Sequence, residues 1–190
     1  MELSSRTSLL FALPLTCATM LLLPAGAASA AGCANERLVP DASNTVQIRA
    51  ATRCLINKER APVGRKRLAA SAPLNIPAQS FAQQMVKGGF FDHVGPAGTS
   101  VLLRVKRQSN YINKRTPRYA VGENIAWGSE ELATPFETVK SWMQSPGHRR
   151  NILDRRYRDI GIGVAVGAPE EVDGASAATY STVFGHRSKC

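Results

Sequence analysis

Acidic residues are scarce in this chain: 14 Asp and Glu stand against 24 Lys and Arg, a formal net charge of +10 over 190 residues. Histidine is scarcer still, at three, and cysteine numbers four. No pair of histidines lies one helical turn apart, so the local zincin signature is absent, and there is no nucleophile elbow. Both absences count against the commonest hydrolase frameworks. No zinc knuckle, helix-turn-helix or aromatic-basic repeat accompanies the positive charge, which disfavours nucleic acid as its partner. Internal repeats and low-complexity tracts are also missing. After the first thirty residues no hydrophobic run is long enough to span a bilayer.

The N-terminus itself is informative. Arg6 precedes an apolar run from Leu9 to Leu23, broken by Pro14 and followed by Pro24, and the run closes on Ala28-Ser29-Ala30. This is the pattern of a signal peptide over residues 1–30, cleaved near Ala30 to release a secreted protein. A competing assignment places Cys33 at a lipoprotein acylation site, although the usual leucine three residues earlier is absent. About 160 residues then remain, enough for one domain with a sizeable core. Residues 31–44, with Pro40, predict an irregular tether, and 45–190 the domain proper.

Cys17 falls in the leader, leaving Cys33, Cys54 and Cys190 in a compartment where disulfides persist. Cys33 with Cys54 is the preferred pair, because it would tie a polar segment to a helix. Cys54 also fits as a small buried apolar residue. The cations gather at Lys58–Arg67, Arg104–Arg118 and Arg149–Arg158. Outside a cell such clusters suit an anionic wall polymer or lipid headgroups, and they equally suit a solvated face that keeps the protein soluble.

Periodicity predicts a first helix from Val46, with Ala50, Cys54 and Leu55 at helical spacing, ending before Pro62. Pro77 is expected to open a second, in which Ala78, Phe81, Ala82, Met85 and Val86 form one stripe stopped by Gly88-Gly89. Phe90-Phe91 then deliver His93 on a loop that the aromatic pair would anchor. A short third helix follows a Thr99 or Ser100 cap, and residues 108–120 predict a surface loop. Gly122 and Gly128 bracket Glu123 in a further loop. Thr134, Pro135 and Glu137 mark the start of the next helix, with Phe136, Val139 and Met143 on one face. Ser145-Pro146-Gly147 ends it and passes the chain to His148. Ile160 to Val166 alternates with period two, and Tyr180–Phe184 completes a terminal hairpin, so the class is α+β.

His93 and His148 sit beside structural punctuation, and Glu123 lies between glycines. Two imidazoles and a carboxylate suit zinc or another divalent cation with an open coordination position. Each residue also has a structural explanation, as a hydrogen-bonded core histidine or a turn acceptor. Trp127 and Trp142 are expected to pack in the core, Arg149 to be solvated or to face an anion near His148, and His186 to have no role.

Several segments together resemble the bacterial, extracellular branch of the CAP superfamily of cysteine-rich secretory, antigen 5 and pathogenesis-related proteins. They are Leu55-Ile56-Asn57 with Glu59-Arg60, Phe91-x-His93, Gly122-Glu123-Asn124-Ile125-Ala126-Trp127-Gly128, Trp142-Met143-Gln144-Ser145-Pro146-Gly147-His148-Arg149, Asn151-Ile152-Leu153, Ile160-Gly161-Ile162-Gly163-Val164 and Phe184-Gly185. The resemblance spans about residues 45 to 187. It implies an α-β-α sandwich, a central antiparallel sheet between helical layers, with a cleft lined by two histidines and two acids. By motif these are His93, His148 and Glu123, while the second acid's position is occupied by Ser145, which would orient a ligand or water instead. Asn124 would fix the Glu123 segment. The resemblance favours an extracellular module that binds a wall component, lipid or protein partner over an enzyme. Its rival is a metal-assisted hydrolase with Glu123 as general base.

Overall fold

The computed structural model describes residues 1–2, 32–172 and 176–188. The expected leader with Cys17 and Ala30, the turn expected from Asp173-Gly174 and Cys190 lie outside the described residues. The fold is carried by the unit that begins at Gly32. No helix among the described residues is long and apolar enough to cross a membrane.

Helix α1, Thr45–Arg60, stops short of Pro62 as expected. Its buried stripe is Ile48, Ala51, Thr52, Leu55 and Ile56, whereas Val46 is 65% exposed. The expected stripe through Val46 and Ala50 is therefore corrected: both are exposed, and the buried face lies roughly 150° around the helix at about 100° per residue. The larger Ile48 and Ile56 pull the face toward the sheet, each contributing roughly 1.5–3 kcal/mol of burial. At its end Asn57 exchanges two hydrogen bonds with the backbone of Leu68, and buried Arg60 donates to the carbonyls of Lys66, Asp154, Tyr157 and Ile152. One cation of the first basic cluster thus serves the interior. Burial pushes its pKa down, with Arg158 and Arg65 adding repulsion.

Helix α2, Ala72–Gly88, starts a turn and a half before Pro77, which lies buried inside it. Pro73, in the first turn, opens the helix in its place. The apolar stripe is as expected, with Ala78, Phe81, Ala82 and Met85 fully buried, and Gly89 ends the helix in the left-handed region.

Strand β1 is only Ala69–Ala70; β2 runs Tyr119–Ser129, β3 Asp159–Val166 and β4 Ala177–Arg187. The sheet order is β1-β3-β4-β2. β2 and β3 both pair antiparallel with β4, and β1 adds a two-residue parallel pairing to β3. Isoleucines 160 and 162 and Val164 face one side, where they join Leu55, Ile56, Trp142, Tyr180 and Phe184. Gly161 and Gly163 face the other. A Cβ on either would clash with the backbone of α2 at Leu74 and Ala78, so the glycines let that helix lie directly on the sheet.

The segment around Glu123 is strand, not loop. Gly122 and Gly128 are spaces for neighbours: an added Cβ would collide with the Tyr157 hydroxyl at the first and sit 2.6 Å from the Leu132 carbonyl oxygen at the second. A turn and a tight packing contact both call for glycine, and sequence cannot tell them apart.

Helix α3, Val101–Gln108, is capped by Ser100 and packs on α2 and β2. In the expected surface loop after it, Tyr111 and Ile112 are buried, and Tyr111 donates to Asp159 at 2.7 Å. Helix α4, Pro135–Gln144, has Thr134 accepting from the Glu137 amide, and α5 is Pro146–Leu153. Together α1, α4 and α5 cover the isoleucine face, while α2 and α3 cover the other, an α-β-α sandwich. Residues 32–44 are irregular and fastened down by the Cys33–Cys54 disulfide and by the Phe136 amide donating to Glu36 O at 2.8 Å.

Candidate functional site

Edge strand β2 carries alternating side chains to the two faces of the sheet, and the candidate cleft is assembled around it. Glu123 points to the α2–α3 side, next to Ser181 of β4. Asn124 points to the α5 side. This alternation is the reason two adjacent residues serve two different histidines.

On the first side, Arg104 of α3 donates to Glu123 Oε1 at 2.6 Å, and His93 Nδ1 lies 3.0 Å from Oε2. Ser181 donates to Oε1 at 3.3 Å. Arg104 and Glu123 side chains are 2% and 3% exposed, so this is an interior ion pair. The guanidinium also donates to the carbonyls of His93 and Thr99, at 3.1 and 2.6 Å, and stacks 3.3 Å from the centre of the Phe81 ring. Arg104 thus fixes both the backbone and the hydrogen-bond partner of His93. A carboxylate only accepts, so Nδ1 of His93 donates and Nε2 is left for a ligand.

On the second side, Asn151 donates to Glu123 O and to Asn124 Oδ1, both at 2.9 Å, and Asn124 donates to His148 O at 3.1 Å. These bonds hold the first turn of α5 against β2. His148 therefore sits in the first turn of α5. Its ring centroid lies 6.4 Å from that of His93, the planes tilted by 47°. Two residues fifty-five apart in sequence meet around one strand edge.

The environments set the two imidazoles apart. The hydrogen bond to Glu123 raises the pKa of His93 most, against an opposing effect of burial. Burial, and then repulsion from His93, lowers that of His148. His93 is therefore the more readily protonated ring of the two. The side chain of His93 is 53% exposed, so it is solvent-accessible as well as anchored.

The aromatic pair before His93 divides. Phe90 packs 6.0 Å from Phe81, whereas Phe91 is 43% exposed and does not anchor the loop. Trp142 is buried and donates to Ile125 O at 2.9 Å; Trp127 is half-buried beside α4. Ser145 joins α4 to α5 as C-cap and N-cap, half-buried. Glu137 pairs with Lys140 at 2.8 Å. Arg149 is exposed, and His186 is half-buried on β4.

Among the described residues, no three His, Cys, Asp or Glu side chains converge as a metal-binding set. A bound zinc lies about 3 Å from the centroid of each imidazole that holds it, so rings 6.4 Å apart would place it nearly on the line between them. Glu123 is already occupied by Arg104, His93 and Ser181. The donor set is thus two imidazoles without a free carboxylate, short of the three protein ligands of a catalytic zinc site.

Arg104 is the residue the sequence analysis missed. A signal was present: it shares the apolar face of α3 with Val101 and Val105, where an arginine requires a buried partner.

A sequence model of the cysteine-rich secretory protein family, CAP, matches residues 54–182. The protein YkwD of Bacillus subtilis strain 168 is 39% identical over 109 residues, covering 57% of this chain and 39% of that one. The chain thus spans well under half of that relative's length. An outer surface protein of Borrelia burgdorferi superposes with a TM-score of 0.57 at 17% identity, over 78% of this chain and 97% of that one. An extracellular SCP-domain protein of Bacillus anthracis str. Ames gives 0.55 at 21% identity, over 76% and 43%. At these identities the structural likeness is one of fold.

Proposed function

Since the chain belongs to the CAP family, we propose that it is a secreted extracellular binding module that holds a negatively charged ligand group between His93 and His148. The ligand group is a carboxylate, phosphate or sulfate of a wall component, lipid or protein partner. The observation that carries this reading is the Arg104–Glu123–His93 chain, which anchors a half-exposed imidazole and favours its protonated form. The leader pattern and the net charge of +10 agree with it. Export with cleavage near Ala30 belongs to the same proposal.

A divalent metal is the competing occupant, held by His93 and His148 with water completing its shell. It would supply Lewis acidity for the hydrolase alternative. That alternative needs Glu123 as general base, and Glu123 accepts from Arg104, His93 and Ser181 while buried. Binding without turnover fits this arrangement better.

Calorimetry on the secreted form separates the two occupants by the sign of their pH dependence. Sulfate keeps its charge between about pH 6 and 8 and should bind more tightly at the acid end, where His93 is protonated. Zinc must displace protons and should bind more tightly at the alkaline end. The anion reading expects sulfate binding that His93→Ala and His148→Ala both weaken in folded protein. Sulfate binding indifferent to both substitutions would overturn it, and tight zinc binding lost in both would establish the metal reading.

A further inference from the structure

From Arg104 to Gly122 the chain contains no acid, and its cations are Arg104, Lys106, Arg107, Lys114, Arg115 and Arg118. Arg104 turns inward to Glu123, while Lys106, Arg107, Lys114 and Arg118 are exposed. Between the end of α3 and the start of β2 lies a cavity of about 340 Å³ lined by Lys106, Ile112, Asn113, Lys114 and Tyr119. Its apolar wall is buried Ile112, and Tyr119 is 39% exposed with the Lys106 ammonium 5.0 Å from its ring centre.

The walls are held in place. Asn113 Oδ1 accepts from the Arg115 amide at 2.8 Å, and the Thr116 amide donates to Asn113 O at 3.0 Å. Arg187, opposite Tyr119 in the sheet, donates to Tyr111 O at 2.9 Å and stacks on the Tyr111 ring. Tyr111 in turn holds Asp159, so that carboxylate already has a partner. A fixed, acid-free, cationic recess loses little freedom when a ligand enters.

We propose that this recess is the docking site of an acidic polysaccharide, with one carboxylated sugar seated between Lys106, Lys114 and Tyr119 and neighbouring sugars crossing Arg107 and Arg118. Its size suits a small ligand unit, with an apolar wall, an aromatic ring and a few polar groups. A membrane is a poorer match, because Tyr119 is the one large exposed apolar side chain among the lining residues and they form a recess rather than a protrusion. Single-stranded nucleic acid needs open aromatic faces for stacking, and Lys106 sits over the single ring available. The site needs neither histidine, so it stands apart from the cleft reading.

The test is titration of polygalacturonate into the full chain at about 0.15 M salt, where long-range attraction is largely screened. Lys106→Ala combined with Lys114→Ala should weaken binding about tenfold, and Tyr119→Ala should weaken it severalfold. Lys58→Ala with Arg67→Ala removes the same charge from another exposed cluster and should change affinity less than twofold. All five substituted residues lie at exposed positions, and each variant's melting curve is compared with wild type. Equal losses in the two double variants would assign binding to net charge alone and overturn the site. So would absence of wild-type binding or equal competition by single-stranded DNA of matched charge.

Discussion

Two open sheet edges in this molecule satisfy their backbone with different chemistry. Beyond the two residues of β1, the edge of β3 is sealed by neutral amides from α2. Asn75 accepts from the Ile162 amide at 2.9 Å, while Gln79 accepts from the Val164 amide at 3.0 Å and donates to its carbonyl at 2.9 Å. The edge of β2 is also served by side chains, Asn151 on Glu123 O and Trp142 on Ile125 O. Around it, however, sit Arg104, Glu123 and the two histidines. The first edge is a seam, and the second combines a seam with a buried ion pair that reaches solvent through His93. Charge at an interior position is costly unless partnered, so its presence at one edge and absence at the other separates site from scaffold.

The largest expected effect comes from breaking the charged edge. Arg104→Ala leaves Glu123 buried without its cation and should destabilise the fold by about 3–5 kcal/mol, read by denaturant unfolding. Adding Glu123→Gln should recover part of that loss, because the uncompensated charge is gone. A cost below about 1 kcal/mol for Arg104→Ala would mean that the ion pair is not a structural keystone.

Breaking the neutral edge should do less. Gln79→Leu keeps the side chain's bulk but strips Val164 of two hydrogen bonds, at an expected cost of about 1–3 kcal/mol. This loss should be indifferent to pH between 5 and 8, since no ionisable group is touched. A pH-dependent loss would erase the contrast between the edges.

The smallest effects are those of the histidines on stability, and their signs are opposite. The folded pKa of His93 is raised, so its contribution is present at acid pH and is lost as pH rises through that folded value. The folded pKa of His148 is lowered, so folding disfavours its protonation and stability is lost as pH falls through the unfolded value near 6.5. His93→Gln should therefore flatten the decline toward pH 8, and His148→Gln the decline toward pH 5. Melting temperatures across that range check both, and slopes of the same sign in the two variants would contradict the assignment.

Helices α1, α2 and α4 were legible because their apolar spacing and their prolines and caps act over one or two turns. Pro77 misled, since proline is favoured in a first turn yet tolerated further in when packing holds the helix, and Pro73 had already opened it. The disulfide was readable as a preference, and the structure pairs Cys33 with Cys54. Strand β2 was missed because Gly122 and Gly128 answer to Tyr157 and Leu132, side-chain and backbone neighbours that no local window contains. Arg60 and Arg104 were counted among surface cations for the same reason.

By itself the sequence determined the α+β class, the family resemblance, the basic surface and the identity of His93, Glu123 and His148 as residues worth watching. Those properties follow from composition, short-range periodicity and motif, all of which survive without a folded chain. Only the tertiary structure decided that Glu123 belongs to Arg104, that His93 is anchored while His148 is desolvated, and that the two rings face each other around β2. Hydrogen bonds and desolvation depend on which atoms come within a few ångströms, and that proximity is created by packing α3 and α5 on opposite faces of one strand.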